Sequence, residues 1–347
     1  MKNKFILLLL FSCAMQVASA QPAVRLIDSG RIFHDPPFKS CHAATLAETG
    51  KDTLLYAWFG GDYEGAGNVA VWGCFRYTNQ KEQWGPVFLL ATGKDTAGRP
   101  LACWNPVLFR NSSGVLFLYY KVGRNPREWR GERKISRNGG KTWSSAVALP
   151  PPFLGPVRNK PVQLQNGTVL CPSSTEGQGE KSWKIHLEST DAAGNNRRYI
   201  LVACDSFDVI QPAILQYGGD TLQLLCRSRQ KRIIETWSFD GGRSWSPLTA
   251  LSLPNPNAGI DAVSLPNGWQ LLVYNPMLPG TNWWEGRSVL RAAVSNNGRT
   301  WSDLLSLEDH EEGEYSYPAV ILDSRNIIRI AYTGNRTMIK FADLVIE

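Results

Sequence analysis

The eight residues Ser238-Phe239-Asp240-Gly241-Gly242-Arg243-Ser244-Trp245 decide how this chain folds. An aspartate there hydrogen-bonds its local backbone, glycine supplies positive φ, and the tryptophan plugs the gap between neighbouring strands. That is a hairpin turn carrying its own plug. It returns upstream as Ser136-Arg-Asn138-Gly-Gly140-Lys-Thr142-Trp143 and downstream, one residue shorter, as Ser295-Asn-Asn-Gly298-Arg-Thr300-Trp301. Residues 79–84 and Ser189-Thr-Asp191 read as eroded copies. A turn that recurs in this form implies a repeated sheet unit.

A second pattern gives the number of units. A polar residue precedes Pro or Ala, two positions biased to small and aliphatic residues, and a large apolar one. The copies are His42-Ala-Ala-Thr-Leu46, Asn105-Pro-Val-Leu-Phe109 and Lys160-Pro-Val-Gln-Leu164. They continue as Gln211-Pro-Ala-Ile-Leu215, Asp261-Ala-Val-Ser-Leu265 and Tyr317-Pro-Ala-Val-Ile321, at intervals of roughly 50 to 63 residues. Each copy runs into a turn (Gly50, Gly114, Gly167, Gly219, Gly268, Asn326) and then a second apolar run rich in strand formers. Four strands with their turns need about 40 to 50 residues, the size of one blade. One blade cannot bury both its faces, so six should stack radially around a channel. The reading is all-β, a six-bladed β-propeller spanning residues 21–347 as one domain.

The first twenty residues read as an export signal. Lys2 and Lys4 precede the apolar run Phe5–Phe11, and Ala18-Ser19-Ala20 forms a small-residue cleavage site. Export to the periplasm or medium is expected; the alternative is a lipid anchor at Cys13, within Leu10-Phe11-Ser12-Cys13. No later stretch is apolar enough to span a bilayer. The net charge of +7 includes those two lysines and is otherwise spread along the chain, without the clustered footprint of a nucleic-acid binder. The charge favours an anionic ligand weakly, and a monomer is the expected state. Of the seven cysteines, six follow the signal, and either disulfides or buried free thiols fit them. No Cys-x-x-Cys pair or histidine cluster suggests a metal, and no cofactor is expected.

If the six-fold pattern is the innermost strand of each blade, its leading residues His42, Asn105, Lys160, Gln211, Asp261 and Tyr317 ring one end of the channel. Convergent polar groups in a concavity mark a ligand site. The chain here resembles the bacterial sialidase (exo-neuraminidase) superfamily, in the predicted-neuraminidase branch with Asp-box repeats. The resemblance rests on those boxes and on Trp58-Phe-Gly-Gly61 through Glu64-Gly65. Arg158-Asn-Lys160-Pro161, Arg227-Ser-Arg229 and Glu314-Tyr-Ser-Tyr-Pro318 extend it. It implies a tyrosine nucleophile assisted by a glutamate, a carboxylic acid/base and three arginines holding the sugar carboxylate. By that likeness Tyr315 falls on the nucleophile, Arg227 and Arg287 on two of the arginines, and Glu64, beside Asp62, on the acid/base. His42 stands where the first arginine opens an Arg-Ile-Pro motif. Gln211 occupies the region of the missing glutamate, for which Asp208 or Asp261 would have to substitute. Arg158 and Lys160 add positive charge.

Three chemistries follow from this set. A glycosidase releasing a terminal acidic sugar would use Tyr315, Glu64, Arg227 and Arg287. A polysaccharide lyase would move protons with His42 and Tyr315 while Asn105 or an arginine neutralised a uronate. A glycan-binding propeller would stack sugars on Trp129, Trp283 and Trp284.

Overall fold

A computed structural model describes residues 21–79, 83–179 and 181–347; the stretch read above as an export signal and part of the eroded copy at 79–84 lie outside the described residues. Among the described residues there are six sheets of four or more strands and no helix. The innermost strands are Ser40–Gly50, Cys103–Arg110, Val162–Gln163, Val209–Gln216, Asp261–Ser264 and Tyr315–Leu322. Each begins a blade and pairs antiparallel with the next strand in sequence. The sixth blade takes its outermost strand, Val24–Arg31, from the start of the described chain, paired with Met338–Ile346. The ring is thus closed by hydrogen bonds between the two ends of the sequence. Arg76, fully buried between the rings of Trp84 and Phe341, ties the joint by ion pairs to Asp28 (2.7 Å) and Asp343 (2.8 Å).

The plugged turns behave as their chemistry dictates. Ser244 N and Arg243 N donate to Asp240 Oδ1 (2.9 and 3.0 Å), and Gly242 N donates to Ser238 Oγ (2.9 Å). Gly242 has φ +85°, and a Cβ there would lie 2.8 Å from Leu170 of the preceding blade, so only glycine fits. Trp245 packs against a core cluster containing Leu170 and Leu222 and is half-buried. The boxes at Asn138 and Asn297 repeat these bonds. All three boxes follow the third strand of a blade, at the rim.

The inner strands carry a less expected feature. Ala43, Asn105, Gln211 and Tyr317 have φ of 56°, 39°, 55° and 54°, in the left-handed region that L residues other than glycine seldom adopt. A break in pairing register accompanies each one. These are bulges, which bend the strand and re-aim side chains. They also correct the expected ring: Ala43, not His42, is the equivalent of Asn105, Gln211 and Tyr317, and His42 precedes its bulge by one residue. The six described cysteines are buried free thiols, which decides between the two readings of them.

Candidate active site at the channel mouth

Tyr317 is the hub of the site. Its left-handed backbone turns the ring onto an apolar collar of Ala43, Phe59, Trp104, Trp129 and Val157. His42 lies against it, with ring centroids 4.1 Å apart. The guanidinium carbons of Arg158 and Arg227 sit 5.4 and 5.6 Å from the ring centroid. Arg227 Nη1 donates to the Tyr317 hydroxyl and, at 3.3 Å, to Gln211 Oε1, while its Nε donates to Asn257 Oδ1 at 2.7 Å. The Asn257 carbonyl accepts from Arg287 Nη2 (2.9 Å), so one asparagine aligns two arginines from different blades. Arg287 Nη1 donates to Glu314 Oε1 (2.9 Å), and Arg336 Nε donates to Glu314 Oε2 (2.8 Å). The outer arm of Arg336 is held by Glu64.

Four guanidinium groups and little solvent dominate the electrostatics. Burial, reinforced by Arg336, Arg287, Arg158 and Arg227, holds the His42 imidazole well below its ordinary pKa, so it is neutral. Both of its nitrogens are buried without a partner. Burial also pushes the Glu176 carboxyl up, with Arg227 and Arg229 opposing and Glu64 adding to the rise. Burial acts upward on Glu314 as well, yet Arg336 and Arg287 outweigh it and keep that carboxyl below its ordinary range. Glu314 is thus an ionised brace, whereas Glu176 is the carboxyl that burial shifts upward. Beside the arginines opens a groove of about 720 Å³ lined by Met277, Leu278, Trp283, Trp284, Glu312 and Arg336. A hollow of about 650 Å³ between the third and fourth blades belongs to the rim, where Asp191 and Asp240 are engaged by turn N–H groups.

Several expected residues stand elsewhere. The Tyr315 ring stacks on His310 (4.5 Å) under Lys340, against the core between the fifth and sixth blades, and does not meet Arg227. Residues two apart share a face in a regular strand, but the register break between Ser316 and Ala319 re-aims Tyr317 instead. Asp261, expected to substitute for the missing glutamate, is engaged within the fold: it holds Lys160 Nζ at 3.0 Å and accepts from Val320 N at 2.8 Å, tying inner strands together. Lys160 is neutralised by that pair and also donates to the Ala262 carbonyl, so it is not a free anion-binding group. Asp208 accepts from the N–H groups of Lys181 and Trp183 and cannot serve Tyr317 as a base. Arg158 is buried beneath Tyr317, with Nη2 on the Tyr317 and Pro318 carbonyls (2.7 and 2.8 Å) and with Nε and Nη1 unpartnered. Asn105 is buried at its bulge. Trp129 is buried in the collar, whereas Trp283 and Trp284 are open at the mouth. Glu176, Asn257 and Arg336 escaped the sequence pattern; Glu314 lay within a quoted motif without a role.

The geometry can be set beside known proteins. A family model described as a BNR repeat-like domain matches residues 52–330. A Dyadobacter fermentans protein of unknown function superposes with a TM-score of 0.74 at 16% identity, over 94% of this chain and 100% of that one. The NanB sialidase of Streptococcus pneumoniae gives 0.70 at 11% identity, over 89% and 68%. The Trypanosoma rangeli sialidase, solved with sialic acid, gives 0.68 at 14% identity, over 89% and 54%. Among curated proteins none matches in sequence. At such identities the likeness to these structures is one of fold.

Proposed function

Because the chain belongs to the BNR repeat-like family and shares its fold with sialidases, we propose that its channel mouth releases a terminal acidic sugar from a glycan, with Tyr317 as the attacking group. The observation that carries this reading is the Tyr317 hydroxyl, held by Arg227 within a cluster of four guanidinium groups. A carboxylate nucleophile would be repelled by an acid group on the reacting carbon; a phenol is not. Arg227 and Arg287 bind the sugar carboxylate, their planar forks matching its two oxygens. Tyr317 Oη forms a bond to the anomeric carbon as the bond to the leaving oxygen breaks. Its proton passes to neutral His42, and Glu176 protonates the leaving oxygen. Water then displaces the tyrosine, giving its proton to Glu176, while Tyr317 recovers its own from His42.

One observation favours a second reading. Gln211 has no capacity to accept the phenol proton, and a neutral imidazole beside a tyrosine also suits proton removal next to an arginine-bound carboxylate, as in elimination from a uronate. The products decide. Sialylated and uronate-terminated glycans should yield a free reducing sugar without new ultraviolet absorbance. An absorbing unsaturated uronate would establish elimination instead, and no product from either class would refute both.

A further inference from the structure

We propose that Arg336 is the third arm of the acid-binding clamp, delivered from the sixth blade to the place that His42 leaves uncharged; this rests on the acidic-sugar reading above. Arg336 lies in the turn joining Ile327–Gly334 to Met338–Ile346, where Thr337 N donates to the Gly334 carbonyl at 3.1 Å. Asn335 and Arg336 have φ of 48° and 53°. Two successive left-handed residues make a primed hairpin turn, whose second central position is best filled by glycine. An arginine there is strained, and such strain persists where the side chain has work to do.

The turn is also fastened to the site. Cys41 N donates to the Arg336 carbonyl at 2.7 Å, which sets the turn against the inner strand of the first blade, next to His42. After burial, Arg336 heads the charges that keep His42 neutral. Glu314 grips Arg336 and Arg287 with its two oxygens, and both guanidinium groups lie over the Trp283 ring, at 4.5 and 5.2 Å. The Arg336 side chain is 21% exposed and that of Arg287 only 4%. Among the described residues, Arg336 Nη2 has no hydrogen-bond partner. Arg336 lines the groove and Arg287 lies beside it on the same Glu314, so a carboxylate entering from the groove meets Arg336 first.

The test measures binding by calorimetry for N-acetylneuraminic, glucuronic and galacturonic acids, each beside its methyl ester. Arg336→Gly suits the turn and should remain folded; Arg336→Lys keeps the charge but not the fork. For the acid the wild type prefers, Arg336→Gly should lose roughly ten- to a hundred-fold in affinity, with Arg336→Lys in between and the ester unchanged. Equal weakening of acid and ester, or an unchanged ratio, would overturn the role of Arg336 while leaving the acidic-sugar site intact. A wild-type protein that prefers no acid over its ester would overturn both.

Discussion

Replacing Tyr317 with Phe removes one oxygen from the centre of the site, and its consequences can be worked out group by group. The lost bond is charge-assisted, a class worth about 1.5–3 kcal/mol. Arg227 keeps Asn257 at 2.7 Å and Gln211 at 3.3 Å, so it is not stranded. The ring keeps His42 and its collar, and no cavity opens. The stability loss should therefore fall near the lower end, about 1–2 kcal/mol in urea unfolding. Turnover should fall by at least ~10³, or about 4 kcal/mol of barrier, because phenylalanine has no atom to form the bond. Acid-sugar affinity should stay level or rise, since Arg227 Nη1 is released to the ligand. The control is Tyr315→Phe. Among the described residues its hydroxyl has no hydrogen-bond partner, and its ring is held by His310 and Lys340. That variant should stay within about 0.5 kcal/mol in stability and turn over normally. Release of sugar from the substrate that the product assay identifies is the measurement. Full activity in Tyr317→Phe, with loss in Tyr315→Phe, would refute the assignment.

Further outcomes are expected away from the reacting atoms. Trp245→Ala should cost about 2–3 kcal/mol, less than a fully buried tryptophan because its ring is half-exposed, and calorimetry should find ligand affinity unchanged. Lys121 is buried with Nζ on the Pro156 carbonyl (2.7 Å), and burial pulls its pKa down to about 7. Between there and the unfolded value of about 10.4, the unfolded chain binds a proton that the folded protein gives up. Lys121 thus adds stability as pH rises, by up to about 1.4 kcal/mol per unit. Lys121→Met should accordingly be the more stable protein at pH 7 and lose that lead by pH 9 in paired urea melts. Burial pushes the thiols of Cys41, Cys74 and Cys171 up to about 12, so a thiol reagent at pH 8 should label the described cysteines only after unfolding.

The architecture was legible in the sequence because its determinants are local. The box around Asp240 closes its own turn through atoms within a few residues, and strand alternation needs only neighbouring positions. Counting such turns and strand starts was enough to reach six blades and the channel. Of the residues singled out from the sequence, Arg227, Arg287, His42 and Glu64 do come together at one end of the channel in the fold. What only the tertiary structure decided is which side chain of a strand enters the site. A left-handed residue at each bulge breaks the two-residue alternation, so Tyr317 rather than Tyr315 turns to the arginines. The repeat already placed Tyr317 in the ring, but the likeness pointed to Tyr315, and only the bulge decides between them. Asp261 and Lys160 looked like free polar groups until the packed inner strands paired them. Arg336 and Asn257 come from turns of other blades, and proximity across blades is a property of the closed ring rather than of any segment within it.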